Sequence, residues 1–339
     1  MHIDKMWYTS DKRVWLLWPL TLLFGLLSCI RRWLYRVGIK KRHQGPAFTI
    51  VVGNITVGGN GKTPVVIALV EYFKSQGIAV GVLSRGFGGS QTHFPHHVQA
   101  SNRPDEVGDE PKLIAARTDV PVVIDPKRAR GADHLAHVLG CDVIVCDDGL
   151  QHYGLHRDVE LVVMDNRGVG NGHLLPMGPL REGLWRLDTV HGIIINGDKS
   201  ALSPAITQRA CPVYQMALKG NQFVNLKSGE RVDVGYFNDK KSAVALAGIG
   251  NPQRFFSHLS SMGLVLDDTF VFPDHHVFSA ADIPTRTVLM TEKDAVKVAP
   301  LAHHDCWYLP VDAQLPPSFY TFIDTRLSAA DIAFKKDHL

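Results

Sequence analysis

The stretch Gly58-Gly59-Asn60-Gly61-Lys62-Thr63 follows a short apolar run, AFTIVVGN, and precedes a helical pattern from Thr63 to Gly77. Strand, glycine-rich turn and helix in that order aim backbone N–H groups and a helix N-terminus at one anion. The standard phosphate loop reads G-x-x-x-x-G-K-[ST]; its lysine reaches the outer phosphates and its hydroxyl binds magnesium. Here Thr56 replaces the first glycine and the remainder is intact. Pro64 falls in the first helical turn, where a missing N–H costs little. The loop therefore predicts a bound nucleotide on Gly58, Gly59, Asn60, Gly61, Lys62, Thr63 and Pro64, and is silent on what receives the phosphate.

Alternating strands and helices continue after the loop. Strands are expected at Ile78 to Leu83, Val120 to Ile124, Val143 to Cys146, Leu161 to Met164 and Gly192 to Asn196, with a helix from Lys127 to Leu139. Such alternation implies a parallel sheet covered by helices. From Cys211 to Asp239 turn residues, notably Lys227-Ser228-Gly229-Glu230, suggest a β-ribbon linker. A second α/β segment then starts at Ala243 to Gly250, with a helix from Pro252 to Met262 and strands near Leu264 to Phe272, Thr287 to Thr291 and Trp307 to Val311. The expected organisation is an N-terminal membrane-associated helix (1–42), a P-loop domain (43–210), the β-ribbon linker (211–239) and a smaller α/β domain (240–339) that closes over the nucleotide.

Between Val14 and Ile30 the run VWLLWPLTLLFGLLSCI carries no charge, while Lys12 and Arg13 precede it and Arg31, Arg32, Arg36, Lys40, Lys41 and Arg42 follow. At 1.5 Å per residue it covers about 25 Å, short of the roughly 30 Å hydrocarbon core. Basic flanks and the tryptophans Trp15, Trp18 and Trp33 suit a helix lying among anionic headgroups. A single full span, a buried helix and a cleaved signal are the alternatives, in that order.

Composition excludes several classes. A formal charge of +3 over 339 residues gives no reason to expect nucleic acid. Five cysteines without a C-x-x-C pair make no disulfide framework, and seventeen histidines match no zinc ligand pattern. Asp147 and Asp148 end a strand where a carboxylate can hold magnesium. Asp109, in Asp109-Glu110-Pro111, and His275, in Pro273-Asp274-His275-His276, are a candidate pair for deprotonating a hydroxyl. Arg85, in Ser84-Arg85-Gly86-Phe87-Gly88-Gly89, is placed to face phosphates or acceptor. Val57 stands where ParA-like ATPases carry an extra lysine. Thr291-Glu292-Lys293-Asp294 has its lysine one position late for a guanine-reading motif, so ATP is expected.

Taken together, VGNITVGGNGKTP (Val52 to Pro64), LSRGFGG (Leu83 to Gly89), GDEP (Gly108 to Pro111), DDGLQH (Asp147 to His152), LLPMGPLRE (Leu174 to Glu182), FPDHH (Phe272 to His276) and TEKDAVK (Thr291 to Lys297) resemble the tetraacyldisaccharide 4'-kinases. The resemblance implies ATP-dependent phosphorylation of the 4'-hydroxyl of a tetraacylated glucosamine disaccharide 1-phosphate, giving lipid IV A at the cytoplasmic face of the bacterial inner membrane. It further implies Asp109 and His275 as a dyad on the acceptor hydroxyl. Thr63, Asp147 and Asp148 become Mg2+ contacts, and Gln151 and Arg181 fall in blocks that line the site. A lipid disaccharide and the membrane surface are the partners it suggests. Two rivals remain: a membrane-associated ATPase switch that regulates a protein partner, and a non-catalytic lipid carrier.

Overall fold

The computed structural model describes residues 6–9, 11–237 and 243–330. Among these, a nine-stranded sheet organises the first lobe. Seven strands run parallel, in the order Val213–Lys219, Gly192–Asn196, Val159–Asp165, Phe48–Gly53, Val143–Asp147, Val80–Ser84 and Val122–Ile124. Asp312–Gln314 and His96–His97 add antiparallel edges. Phe48–Gly53 and Val159–Asp165 are buried at every position, because helices cover both faces. On one face the loop helix Lys62–Ser75 packs Val65, Leu69 and Phe73 into the core; on the other, Leu135, Leu187 and Ile206 do so.

The second lobe is a six-stranded sheet with the order Arg231–Asp233, Gln222–Asn225, Cys306–Leu309, Thr287–Thr291, Ala243–Ala247 and Asp268–Val271. Its last four strands are parallel, and the first two form an antiparallel hairpin.

Two stretches sit differently from the sequence expectation. Residues 211–239 do not stand apart as a ribbon. Val213–Lys219 is a parallel strand of the large sheet, while Gln222–Asn225 and Arg231–Asp233 belong to the small one. Alternating burial along Val213–Lys219 reflects its place next to the sheet edge and gives it a ribbon-like pattern. The C-terminal segment expected in the closing domain returns to the first lobe. Asp312–Gln314 pairs with Val213–Lys219, and the helix Pro317–Ser328 buries Phe319, Ile323 and Leu327 in the core under the loop helix. The expected boundary between 239 and 240 lies outside the described residues.

At the N-terminus, a short 3-10 turn (Lys12–Leu17) leads into the helix Trp18–Arg36, which has no buried residue. Together the 25 residues Lys12–Arg36 are long and apolar enough to cross a membrane. One stripe rests on the protein: Met177 N donates to Thr21 Oγ1 at 3.1 Å, the Arg32 guanidinium stacks 3.5 Å from the Trp185 ring centroid, and Trp15 meets His173 edge-on. Leu16, Leu20, Leu22, Leu23, Leu26 and Leu27 face outward.

Phe319 is fully buried. Phe319→Ala should destabilise the protein by about 3–5 kcal/mol, read from the urea midpoint, although the residue lies far along the chain from the phosphate loop.

Candidate active site

The phosphate loop is built to leave its N–H groups free. Gly58 and Gly61 adopt φ of 101° and 90°, the left-handed region that a side chain resists. A Cβ on Gly61 would also fall 2.3 Å from Asn196 Nδ2. The loop carbonyls are tied from behind. Asn54 Nδ2 donates to Gly58 O at 3.2 Å, Arg167 Nη2 to Gly59 O at 2.8 Å, and Asn196 Nδ2 to Asn60 O at 3.1 Å. Thr56, which replaces the first glycine of the common pattern, is used inside the loop, since Asn60 Nδ2 donates to Thr56 Oγ1 at 2.8 Å.

Lys62 is nearly buried and lies 3.5 Å from Asp148 Oδ1; Arg181 Nη1 holds the other oxygen at 2.9 Å. Burial opposes ionisation of Asp148, but Lys62 and Arg181 outweigh it and hold the carboxyl down at about 2. Asp147 has the opposite surroundings. It is 1% exposed, neither carboxylate oxygen has a hydrogen-bond partner, and burial followed by the charge of Glu110 pushes its pKa up. A buried carboxylate with both oxygens unpaired suits a hard cation. Thr63 is the second residue of the loop helix, and with Asp147 and Asp148 it makes up the set that could hold a magnesium ion.

Asp109 opens the helix Asp109–Thr118, behind Gly108 with φ 94°. His275 comes from the second lobe and itself holds φ 60°. The structure brings them together: His275 Nδ1 is 3.1 Å from both oxygens of Asp109. Burial alone would raise the Asp109 pKa, but the His275 hydrogen bond and the nearby lysines bring it to about 2. The same hydrogen bond raises His275. The Phe87 ring stands edge-on to the imidazole at 5.3 Å, placing the SRGFGG loop over the pair.

The remaining sequence candidates lie further out. Arg85 is exposed at the end of Val80–Ser84. Gln151 donates to Asn54 O at 3.2 Å and to Glu182 at 3.0 Å, so it braces the strand that enters the phosphate loop. Arg167, Asn196, Arg254 and Gly250 were not anticipated. Asp165, Arg167 and Asn196 end or follow parallel strands, which is where ligands bind in such sheets, and that signal could have found them.

Between the lobes lies a cleft of about 260 Å³. Lys62, Thr63 and Asn196 line one side, and Arg254, Thr291 and Lys293 the other; Ile67, Leu218 and Phe255 add an apolar section. The lobes meet on the loop itself. Arg167 Nη1 donates to Gly250 O at 3.2 Å, Arg254 bonds the Asn196 side chain, and Arg117 pairs with Glu292 at 2.7 Å. A Cβ on Gly250 would sit 2.4 Å from Gly59 N.

A phosphate loop on a parallel sheet, an acidic strand end beside it and an Asp-His pair shared with a second lobe define a P-loop phosphotransferase fold. The family model for tetraacyldisaccharide-1-P 4'-kinase matches residues 13–328. The chain belongs to that family. It is 47% identical over 314 residues to the tetraacyldisaccharide 4'-kinase of Haemophilus influenzae, covering 91% of each chain. It is 43% identical over 342 residues to that of Shewanella oneidensis, covering 99% of this chain and 98% of that one. The crystal structure of LpxK from Aquifex aeolicus in complex with ATP aligns with a TM-score of 0.78 at 26% identity, covering 92% of this chain and 99% of that one.

Gly250→Ala should push the second lobe off the phosphate loop and weaken ATP binding about tenfold in a fluorescent-nucleotide titration, ~1.4 kcal/mol. Binding at wild-type strength would show that the loop tolerates the displacement.

Proposed function

We propose that the chain transfers the γ-phosphoryl group of ATP to the 4'-hydroxyl of a tetraacyldisaccharide 1-phosphate, using Asp109 and His275 on the acceptor and Lys62 on the phosphates. The observation that carries this reading is the Asp109–His275 contact across the lobes, beside a cleft that begins at the phosphate loop.

Phosphoryl transfer asks the protein mainly for positioning and charge. The loop N–H groups and the N-terminus of Lys62–Ser75 seat the β- and γ-phosphates, and Lys62 neutralises the charge that develops between them. Thr63, Asp147 and Asp148 would hold Mg2+, which supplies further charge neutralisation when bound. His275 donates Nδ1–H to Asp109, leaving Nε2 to take the proton of the sugar hydroxyl. Asp109 fixes that tautomer and stabilises the imidazolium that results. Arg181 keeps Asp148 ionised and in place, and Arg85, at the mouth of the SRGFGG loop, faces the acceptor.

The acceptor carries acyl chains, and the outward leucines of Trp18–Arg36 offer the matching surface. We place the helix in the headgroup region of the cytoplasmic face. ATP is available there, and Arg31, Arg32, Arg36, Lys40, Lys41 and Arg42 meet an anionic leaflet.

Transfer of label from γ-labelled ATP to a tetraacyldisaccharide 1-phosphate in mixed micelles tests the reading. Wild type should form labelled lipid, with Lys62→Ala and Asp109→Ala each reduced by about 10²-fold or more. ATP hydrolysis without a lipid product would favour the ATPase switch instead. Removal of residues 1–36 should abolish co-sedimentation with anionic vesicles; retention on them would place the membrane contact elsewhere.

A further inference from the structure

We propose that Lys293 is a positioning residue that holds the Asp109–His275 pair in register across the two lobes. The inference rests on that pair serving the phosphoryl transfer. Lys293 lies in the TEKDAVK block, for which neither the loop chemistry nor the dyad supplies a role.

Its base is fixed before its tip is considered. Lys293 is the second residue of the helix Glu292–Val298. Thr291 caps that helix: its Oγ1 accepts from Asp294 N at 3.1 Å and donates to Asp294 Oδ2 at 2.6 Å. The same Asp294 oxygen accepts from Gly248 N at 3.0 Å, tying the cap to the end of Ala243–Ala247. On the other flank, Glu292 is paired with Arg117 of the first lobe.

From this base the ammonium reaches into three carboxylates. Nζ lies 3.0 Å from Glu110 Oε1, 3.1 Å from Asp274 Oδ1 and 3.6 Å from Asp109 Oδ2. Glu110 adjoins Asp109 in the chain, and Asp274 adjoins His275. One cation thus grips the neighbour of each dyad member and touches one member directly. The Asp274 oxygen it holds also accepts from His275 N at 3.1 Å. His275 has a left-handed backbone, which a non-glycine residue keeps only when its surroundings hold it, and this shared oxygen is one contact on that backbone.

The charges explain why a cation is required. Asp109 and Glu110 face Lys293 from one helix, and Asp274 and His275 from the opposite loop; Lys297 lies one turn further along its own helix. Without Lys293, the three carboxylates would lose the cation between them and would repel one another. Burial opposes its protonation, yet the surrounding carboxylates win and raise Lys293 further. Its field also helps keep Asp109 ionised and opposes protonation of His275.

The test compares Lys293→Met, Lys293→Arg, Asp274→Asn, Asp109→Asn and His275→Ala in the full-length enzyme, measuring kcat and the KM for ATP against pH. Lys293→Met should lower kcat about 10²-fold with the KM for ATP within about twofold of wild type. Its acid limb should move to higher pH, since a cation beside His275 is lost, and the His275 Cε1 proton titration followed by NMR should move the same way. Lys293→Arg keeps the cation and should restore most of kcat. Asp274→Asn should lower kcat but move the limb to lower pH, because it removes a negative charge from the imidazole; it carries the test if Lys293→Met does not fold. Wild-type turnover in Lys293→Met, a rise in KM alone, or an unmoved limb overturns the proposal. If Asp109→Asn and His275→Ala turn over normally, the dyad reading fails and this inference fails with it. If those two are inactive while Lys293→Met is not, the dyad stands and Lys293 is released from it.

Discussion

A phosphate loop works only if its N–H groups stay unengaged on the ligand side, and this constraint accounts for much of what surrounds Gly58–Thr63. Three of its carbonyls are held from behind by Asn54, Arg167 and Asn196. Each of those residues is held in turn: Gln151 donates to the Asn54 backbone carbonyl, Arg167 pairs with Asp165, and Arg254 of the other lobe donates to the Asn196 side chain. The loop therefore has the fixed, left-handed geometry that anion binding needs without spending its donors on the protein. The close backbone contact of Gly250 with Gly59 extends the same dependence to the second lobe.

Charge around the cleft is divided rather than shared. Two adjacent aspartates end one strand, but Asp148 lies between Lys62 and Arg181 while Asp147 is buried without a hydrogen-bond partner. Neighbouring carboxyl groups in such different surroundings are tuned apart, Asp148 held ionised by protein cations and Asp147 left without a protein partner. Asp109 is a third case, ionised in a buried place because an imidazole and lysines face it.

Much of this was legible in the chain because it is local. The strand, turn and helix around Lys62, the acidic end of Val143–Asp147 and the apolar outward face of Trp18–Arg36 each follow from contiguous residues. The family blocks supplied the pairing of Asp109 with His275, 166 positions apart, which no periodicity reveals. What escaped depends on topology. Arg167 and Arg254 look like ordinary surface cations until the strand order brings them onto the phosphate loop. Val213–Lys219 reads as a ribbon because its outward residues alternate, and Pro317–Ser328 carries no mark of the lobe it serves. Its stripe of Phe319, Ile323 and Leu327 declares a buried face, not an address.

That return of the chain bears on how the protein is made. During synthesis the N-terminal helix emerges first and can meet the membrane early, and the phosphate loop follows soon after. The edge strand Asp312–Gln314 and the helix that seals the core beneath the loop come last. The nucleotide lobe cannot close its core until the small lobe has been translated in full, so the second lobe is an insertion within the first rather than an appendix to it. A ribosome stalled anywhere in the small lobe would hold a chain whose N-terminal helix and phosphate loop are already made but whose nucleotide site is unfinished.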